Sequence, residues 1–338
     1  MKKQLSVNNL LYNIVAAVLL CAVAGFPLVF GVFVAIVAGT ILSYVKLPNG
    51  ALFEGVQKEI WTDILLEKFY PDTSFMNEAR NLDSLVEYNT INLADAGADP
   101  DVLVDNSSYP ISTSSRTDAP IQLPLRTLDT TSTVHRNIEK KESSYDKMSS
   151  IIYGHRMALQ TKAGQLAAWN YAPAKDTKFT PVLKTTGKPR NGFATCSFDD
   201  IFDLEARQNE VDAPQDGRIL VLTPTHQRDL KSEDSRMFKE MISSGRIGTF
   251  KLYSFSSTPK YDATTGLKLP FGAAAGANDT VASFAFHKDE VMRAMGTVEM
   301  FAKYSDPDQK GDVMNFQMRF VALALRNKTI SAIYSAKA

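Results

Sequence analysis

The residues that could perform chemistry in this sequence are concentrated in one acidic cluster. Its members are Asp95, Asp99, Asp101 and Asp105. Closely spaced carboxylates can bind a cation, but a calcium loop places its ligands at positions one, three, five and twelve around a glycine, and the spacing here differs. The cluster therefore predicts a solvated turn, or charge pairs with a neighbouring subunit, and no metal site.

The other reactive residue types are scattered along the chain. The sequence has no Cys-x-x-Cys, no His-Glu-x-x-His, no phosphate-binding glycine loop and no Gly-x-Ser-x-Gly. The only cysteines are Cys21 and Cys196, too few for a disulfide framework. The four histidines, none with a reactive neighbour in sequence, are His135, His155, His226 and His287. We expect no enzyme, cofactor or metal, although tertiary contacts could still assemble a triad.

Aromatic residues and net charge do not point to a ligand. Trp61 and Trp169 lie on apolar faces of predicted helices, where packing in a core or an interface is the better interpretation than ligand stacking. Lys+Arg and Asp+Glu both number 37, so the formal net charge is +0. This balance excludes a global electrostatic attraction to nucleic acid or anionic lipid.

The amino-terminal segment differs in composition from the rest of the chain. Residues 4–45 contain no charged side chain, and a helix needs about 20 apolar residues to cross a bilayer. The segment could hold two short spans, with a break at Gly25 and Pro27. We favour an anchor in a membrane or another apolar environment. A cleaved secretion signal and a segment buried in an assembly remain alternatives.

The acidic cluster belongs to a segment that favours β structure. Residues 84–137 alternate β-favouring residues with turn formers, and Pro120 and Pro124 exclude a central strand. This pattern predicts a long two-stranded ribbon, which is marginally stable alone. We expect little surface within a monomer on which the ribbon could lie, so it indicates a partner.

Helical and α/β patterns surround the ribbon. Spacing predicts an amphipathic helix from residue 56 that ends at Pro71, and a long helix over 138–172. Ser197 with Asp200, and Thr223 with Pro224, predict two helix starts. Further predicted elements are a buried strand at 218–222, a helix at 232–242, strands near 249–255 and 281–286, a short helix near 287, and strands at 298–304, 316–325 and 329–334.

This order of elements resembles the major capsid proteins of tailed bacteriophages, which have the Hong Kong 97-type fold. The resemblance covers about residues 50–336. It is carried by VQKEIWTDILLEKFYPDTSFMNEA at 56–79, INLADAGADPDVLVDNSSYPI at 91–111, GRILVLTPTHQRDLKSED at 217–234 and NFQMRFVALALRNKTISAIYSA at 315–336.

The resemblance implies an α+β fold with an extended β-hairpin loop, a long spine helix, and peripheral and axial domains. The implied parts are the hydrophobic amino-terminal segment 1–46, the arm 47–83, the extended loop 84–137, the spine helix 138–173, the axial domain 174–296, and the last strands of the peripheral domain, 297–338. In the family, the extended loop lies over the adjacent subunit.

The resemblance also implies a function. The chain would self-assemble as pentamers and hexamers into an icosahedral head that encloses double-stranded DNA without sequence preference, in a virion assembled in the host cytoplasm. Further implied partners are a portal and scaffold or decoration proteins, with membrane contact through residues 4–45 as an option. The inter-subunit contact candidates are Trp61, Asp95, Asp99, Asp101, Asp105, Arg116 and Arg126.

Two features depart from the family. Some members join subunits by a lysine–asparagine bond that starts from the extended loop, but the loop from Ser84 to Asn137 has no lysine. We therefore expect a non-covalent lattice, with Arg116, Arg126 and the aspartates of the loop making polar contacts. The second departure is the apolar amino terminus, which the family does not require.

Two alternatives stay open. A protein nanocompartment (an encapsulin-like shell) shares this fold but encloses enzymes, and composition does not separate it from a phage head. A membrane-tethered enzyme or binding module would instead be a monomer or small oligomer with a pocket of converging polar groups.

Overall fold

The computed structural model describes Leu65 and residues 74–87, 89–95, 105–107, 119–136, 147–274 and 276–338. The chain divides into two compact units, Met1–Ile60 and Trp61–Ala338, and the described residues all lie in the second. The apolar segment 4–45 and the helix predicted from residue 56 lie outside them, apart from Leu65, which is helical and buried. No helix in the described part is long and apolar enough to cross a membrane.

The described part is an α+β protein, as predicted. Its helices are α1 (Lys147–Tyr171), α2 (Phe198–Asn209), α3 (Pro224–Glu233) and α4 (Ser235–Ser244), with short 3-10 helices at Phe75–Glu78 and Asp83–Leu85. Its strands are β1 (Arg80–Asn81), β2 (Val86–Glu87), β3 (Thr90–Asp95), β4 (Ala119–Pro124), β5 (Arg126–Asp129), β6 (Thr133–Arg136), β7 (Val182–Lys184), β8 (Pro189–Arg190), β9 (Phe193–Ala194), β10 (Arg218–Leu222), β11 (Arg246–Ile247), β12 (Phe250–Ser254), β13 (Lys260–Asp262), β14 (Asp279–His287), β15 (Val291–Asp306), β16 (Gly311–Ala324) and β17 (Ser331–Tyr334).

A long antiparallel hairpin of β15 and β16 dominates the first sheet. This five-stranded sheet has the order β1-β15-β16-β5, and β6 also pairs with β16. Along β16, Met314, Phe316, Met318 and Phe320 are buried at every second position. Because successive side chains of a strand point to opposite faces, this alternation gives the sheet one apolar face.

Helix α1 covers that apolar face. Ile152, Leu159, Ala163 and Leu166 are buried in the same core cluster as the side chains of β16. Their spacing places them on one side of the helix, as the sequence predicted. The predicted helix is present over Lys147–Tyr171, and residues 138–146 lie outside the described part.

The second sheet has seven strands in the order β11-β12-β10-β14-β17-β7, with β13 also paired to β14. Strand β10 is buried along its whole length, as its apolar run predicted. The predicted helix starts are confirmed. Ser197 and Asp200 form a capping box at α2, and the Thr223 side chain caps α3 with Pro224 in its first turn. These caps orient the two helices over the sheet.

The third sheet contains the ribbon. Strands β2, β3 and β4 pair in that order, so the predicted two-stranded ribbon has a third, short strand. Strand β4 carries Pro120 and Pro124 and lies at the edge, which is where a strand tolerates residues without an amide hydrogen. Most of the ribbon between Asp95 and Ala119 lies outside the described residues.

Two predictions about the carboxyl-terminal half were wrong. The short helix near His287 is a turn into β15, and the helix over 232–242 is divided at Asp234, which caps α4. The strand predicted at 329–334 is confirmed as β17 (Ser331–Tyr334). It lies between β14 and β7 in the second sheet. All four of its residues are buried, and burial on both faces requires a central position.

We predict that Asp200→Ala destabilises the fold strongly. The buried Asp200 carboxylate accepts hydrogen bonds from the Ser197 amide (2.8 Å), the Thr186 amide (3.1 Å) and the Thr186 hydroxyl (2.6 Å). Its loss leaves these donors unpaired, which costs about 3 kcal/mol. Urea unfolding followed by tryptophan fluorescence measures the change. Asp203→Ala, on the exposed side of the same helix, is the control and should change stability by less than about 0.5 kcal/mol. Equal losses in both variants would contradict this account.

Candidate subunit interface

The base of the ribbon is anchored to its own subunit. Ile91 of β3 is fully buried in a cluster with Leu82, Met292, Ala294 and Val321, which come from the chain before the ribbon and from the first sheet. The expectation that a monomer offers little surface for the ribbon is therefore wrong at its base. The β3–β4 ladder leaves this anchor in regular register, from Thr90 opposite Pro124 to Asp95 opposite Ala119.

The structure places three of the seven contact candidates. Asp95 ends β3, and its backbone pairs with Ala119. Asp105 is exposed with a φ of 53°, a conformation that aspartate tolerates in turns. Arg126 is exposed at the start of β5, opposite Phe320. Asp95 and Arg126 thus belong to different sheets. Trp61, Asp99, Asp101 and Arg116 lie outside the described residues.

Tertiary contacts do bring one histidine beside two serines. His226 Nδ1 lies 2.7 Å from Ser283 Oγ, and His226 Nε2 lies 3.0 Å from Ser335 Oγ. Sequence reasoning missed this cluster because its members are 57 and 109 residues apart. Both His226 and Ser283 are 0% exposed. A nucleophile and its base need access to substrate, so these contacts instead fasten α3 to β14 and to the residue after β17.

Burial also determines the charge of His226. It lowers the pKa of His226 to about 4, against the opposing influence of the Asp229 and Asp200 carboxylates. The imidazole is therefore neutral at pH 7, and each ring nitrogen has a hydroxyl partner. A neutral, inaccessible ring is suited to a structural role.

Cys196 and the possible metal-binding side chains are the other reactive groups of the described part. Cys196 is buried, and burial, followed by the charges of Asp200, Asp229 and Glu233, raises the pKa of its thiol. A buried thiol with a raised pKa is inert. Among the described residues, no group of three or more histidine, cysteine, aspartate or glutamate side chains is arranged to hold a metal ion.

Trp169 packs at the end of α1. Its indole Nε1 donates to the carbonyl oxygen of Leu269 at 2.8 Å, and Lys268 Nζ lies 4.3 Å from its ring centre. Phe271 meets the indole edge-on. These contacts place Trp169 in packing between helix and loop, which agrees with the interpretation preferred from the sequence.

An exposed apolar surface lies on the outer side of α1. Tyr153 is 53% exposed and Met157 is 42% exposed, one helical turn apart. They line a groove together with Phe75, Met76 and Phe255. The apolar periodicity of the helix indicates only its buried face, so this surface was not predicted. Exposed large apolar side chains that adjoin one another are typical of protein–protein contacts.

Several solved structures have a fold similar to that of this chain. The capsid of the cyanophage P-SCSP1u matches with a TM-score of 0.58 at 16% identity, over 79% of this chain and 89% of that chain. A Mycobacterium phage Che8 chain matches with a TM-score of 0.54 at 14% identity, over 78% and 91%. A virus-like particle from Pyrococcus furiosus matches with a TM-score of 0.51 at 11% identity, over 82% and 99%.

Sequence comparison adds nothing to these matches. No protein-family model and no curated protein matches the chain. At the low identities of the structural matches, what they show is the fold, and this fold is shared with phage capsid proteins. The resemblance noted from the sequence is confirmed at that level.

We predict that His226 makes stability depend on pH. Its pKa in the folded state lies below its ordinary value, so the unfolded chain binds more protons between pH 7 and pH 4. The free energy of unfolding should fall over this interval by about 3 kcal/mol more in the wild type than in His226→Gln. Chemical denaturation at a series of pH values measures both curves. Parallel curves would contradict the burial of a neutral imidazole.

Proposed function

We propose that this chain is the major capsid protein of a tailed bacteriophage, which self-assembles into an icosahedral head around double-stranded DNA. The observation that carries the proposal is the match over about nine-tenths of the length of phage shell chains. The described part also has no accessible catalytic cluster, and its exposed apolar side chains on α1 suit contacts between subunits. We propose no enzymatic role.

The domain assignment follows the same proposal. We assign residues 47–83 to an amino-terminal arm, 84–137 to an extended loop, and 138–173 to a spine helix that lies on the β15–β16 hairpin in a peripheral domain. Residues 174–296 would form the axial domain around five- and six-fold axes. We assign residues 297–338 to the peripheral domain except for β17, which pairs with β14 and β7 of the second sheet.

The proposed lattice is non-covalent. Because the loop from Ser84 to Asn137 has no lysine, subunits would hold together by packing, strand pairing and ion pairs. The proposed partners are other copies of the chain, the packaged DNA, a portal, and scaffold or decoration proteins. Residues 4–45 would contact a membrane or another apolar layer during assembly in the host cytoplasm.

A nanocompartment shell is the second candidate function, and the match to the Pyrococcus furiosus virus-like particle supports it.

Electron microscopy of the expressed full chain, with a parallel version lacking residues 1–46, tests both candidate functions. The proposal predicts closed particles of uniform size that hold nuclease-protected DNA when purified from infected or packaging cells. Particles filled with protein and free of DNA would favour the nanocompartment. Dispersed monomers or small oligomers in both versions would contradict either shell and favour a membrane-tethered module.

We predict that the outer part of the ribbon is needed for assembly and dispensable for folding. Replacing residues 96–118 by Asn-Gly would join β3 to β4 through a tight turn and keep the anchor at Ile91. The variant should unfold at the same urea concentration as the wild-type subunit but form no large particles. Light scattering and urea unfolding measure the two properties.

The matched controls are the single variants Asp99→Ala and Arg116→Ala. Each removes a single charge, and a surface ion pair is worth about 0–1 kcal/mol, so particles should still form. Normal particles from the Asn-Gly variant would show that the outer ribbon does not bind a neighbour.

A further inference from the structure

Strand β15 has a long outer edge with few partners. Its inner side pairs with β16 along most of its length. On its outer side, the described residues that bond to the strand all lie at its amino-terminal end: β1 pairs at Met292 and Arg293, the Leu82 amide donates to the Arg293 carbonyl, and the Asp83 side chain accepts from the Met295 amide. From Val298 to Lys303 the strand runs regularly between two register shifts. Within the described part of the chain no strand pairs with the outer side of this stretch, and an open strand edge is a ready template for another strand.

The exposed face of this edge carries a distinctive pattern. Glu299, Phe301 and Lys303 point to the same side, away from α1, because they alternate with the inward Met300 and half-buried Ala302. Phe301 is 49% exposed. The acidic residue lies two positions before the aromatic one, and the basic residue lies two positions after it.

Such a pattern is complementary to itself. In an antiparallel pair related by a two-fold axis through Phe301, each copy places Phe301 opposite Phe301 and Glu299 opposite Lys303. A register shifted by one residue about Met300 would place Glu299 opposite Phe301 and lose both matches. Opposite charges and aromatic pairs directly across an antiparallel ladder are favourable, and like charges are unfavourable.

We propose that β15 edges from two copies of this chain pair antiparallel about Phe301 at a two-fold contact between subunits. The contact is isologous, so the same surface serves both partners. It would join two five-stranded sheets into one, bury both Phe301 rings against each other, and form two Glu299–Lys303 ion pairs. The inference rests on the proposed shell function, since it names one contact within that assembly.

Lys303 already has a partner within its own subunit. Its Nζ lies 3.0 Å from Asp306 Oδ2, while the side chain stays 66% exposed. An ammonium group has three donors, so Lys303 can keep its contact with Asp306 and donate to a second carboxylate. Asp306 would then hold the lysine side chain in place for Glu299 of the other copy.

A single cysteine tests the geometry. Phe301→Cys in a Cys21→Ser background leaves only the buried Cys196 besides the new thiol. Oxidation of purified particles should convert most of the chain to a covalent dimer, without larger products, and a thiol reductant should reverse it. Thr297→Cys is the control on the same strand. Residues 297 of the two copies would lie roughly 26 Å apart along the strands, so it should give no dimer.

The cysteine test has two outcomes that overturn the proposal. In one, Phe301→Cys stays monomeric in intact particles. In the other, Thr297→Cys forms the dimer equally well, which would indicate random collision. If the wild-type chain forms no particles, the proposed function fails and this inference fails with it.

Exchanging the charges of Glu299 and Lys303 gives an independent test, in which Cys21 and Cys196 stay unchanged. Glu299→Lys places lysine opposite lysine and should reduce the particle yield several-fold. Lys303→Glu should do the same. The double variant E299K/K303E restores opposite charges across the axis and should restore the yield, although it lacks the Lys303–Asp306 ion pair. A double variant as poor as either single variant, or wild-type yields from both single variants, would overturn the pairing while leaving the shell function intact.

Discussion

The fold depends on the burial of the carboxyl-terminal end of α1 between two sheets. Tyr171 donates its hydroxyl hydrogen to the Met292 carbonyl at 3.0 Å, and Asn170 donates to the Ala322 carbonyl at 2.6 Å, so the helix end is fixed to the β15–β16 hairpin. The Tyr171 ring also packs against Phe286 of the second sheet. Because one aromatic cluster contacts both sheets, their positions are coupled. The ribbon depends on the same hairpin, since Ile91 is buried against its strands.

Local sequence patterns predicted the positions of helices and strands better than they predicted which strands pair with one another. Three kinds of feature were predictable because each depends on residues close together in sequence. They are the buried face of α1, the buried strand β10, and the helix caps at Ser197 and Thr223. The position of β17 in the second sheet was not predictable, because the strands next to it in the sheet are distant in sequence. For the same reason no local pattern predicted the contacts of His226 with Ser283 and Ser335. Of the contact candidates, the structure could place only Asp95, Asp105 and Arg126, and it does not group them.

The ribbon does not need another copy along its whole length, because its base is held by the apolar cluster around Ile91. A fixed base gives the ribbon a defined direction where it leaves the subunit core. The exposed residues of α1 and the outer edge of β15 are further surfaces that the described part of the subunit leaves uncovered. These surfaces are the ones that the proposed lattice of identical subunits would use for contacts between copies.

Hydrogen exchange tests this division of the ribbon most directly, by comparing dissociated subunits with assembled particles. Amides of β3 and β4 should be protected in both states, because their ladder rests on the subunit's own core. Amides of residues 96–118 should gain protection only in particles, where a neighbouring copy covers them. Equal protection of 96–118 in free subunits and particles would contradict the claim that assembly, and not the subunit itself, holds the outer ribbon.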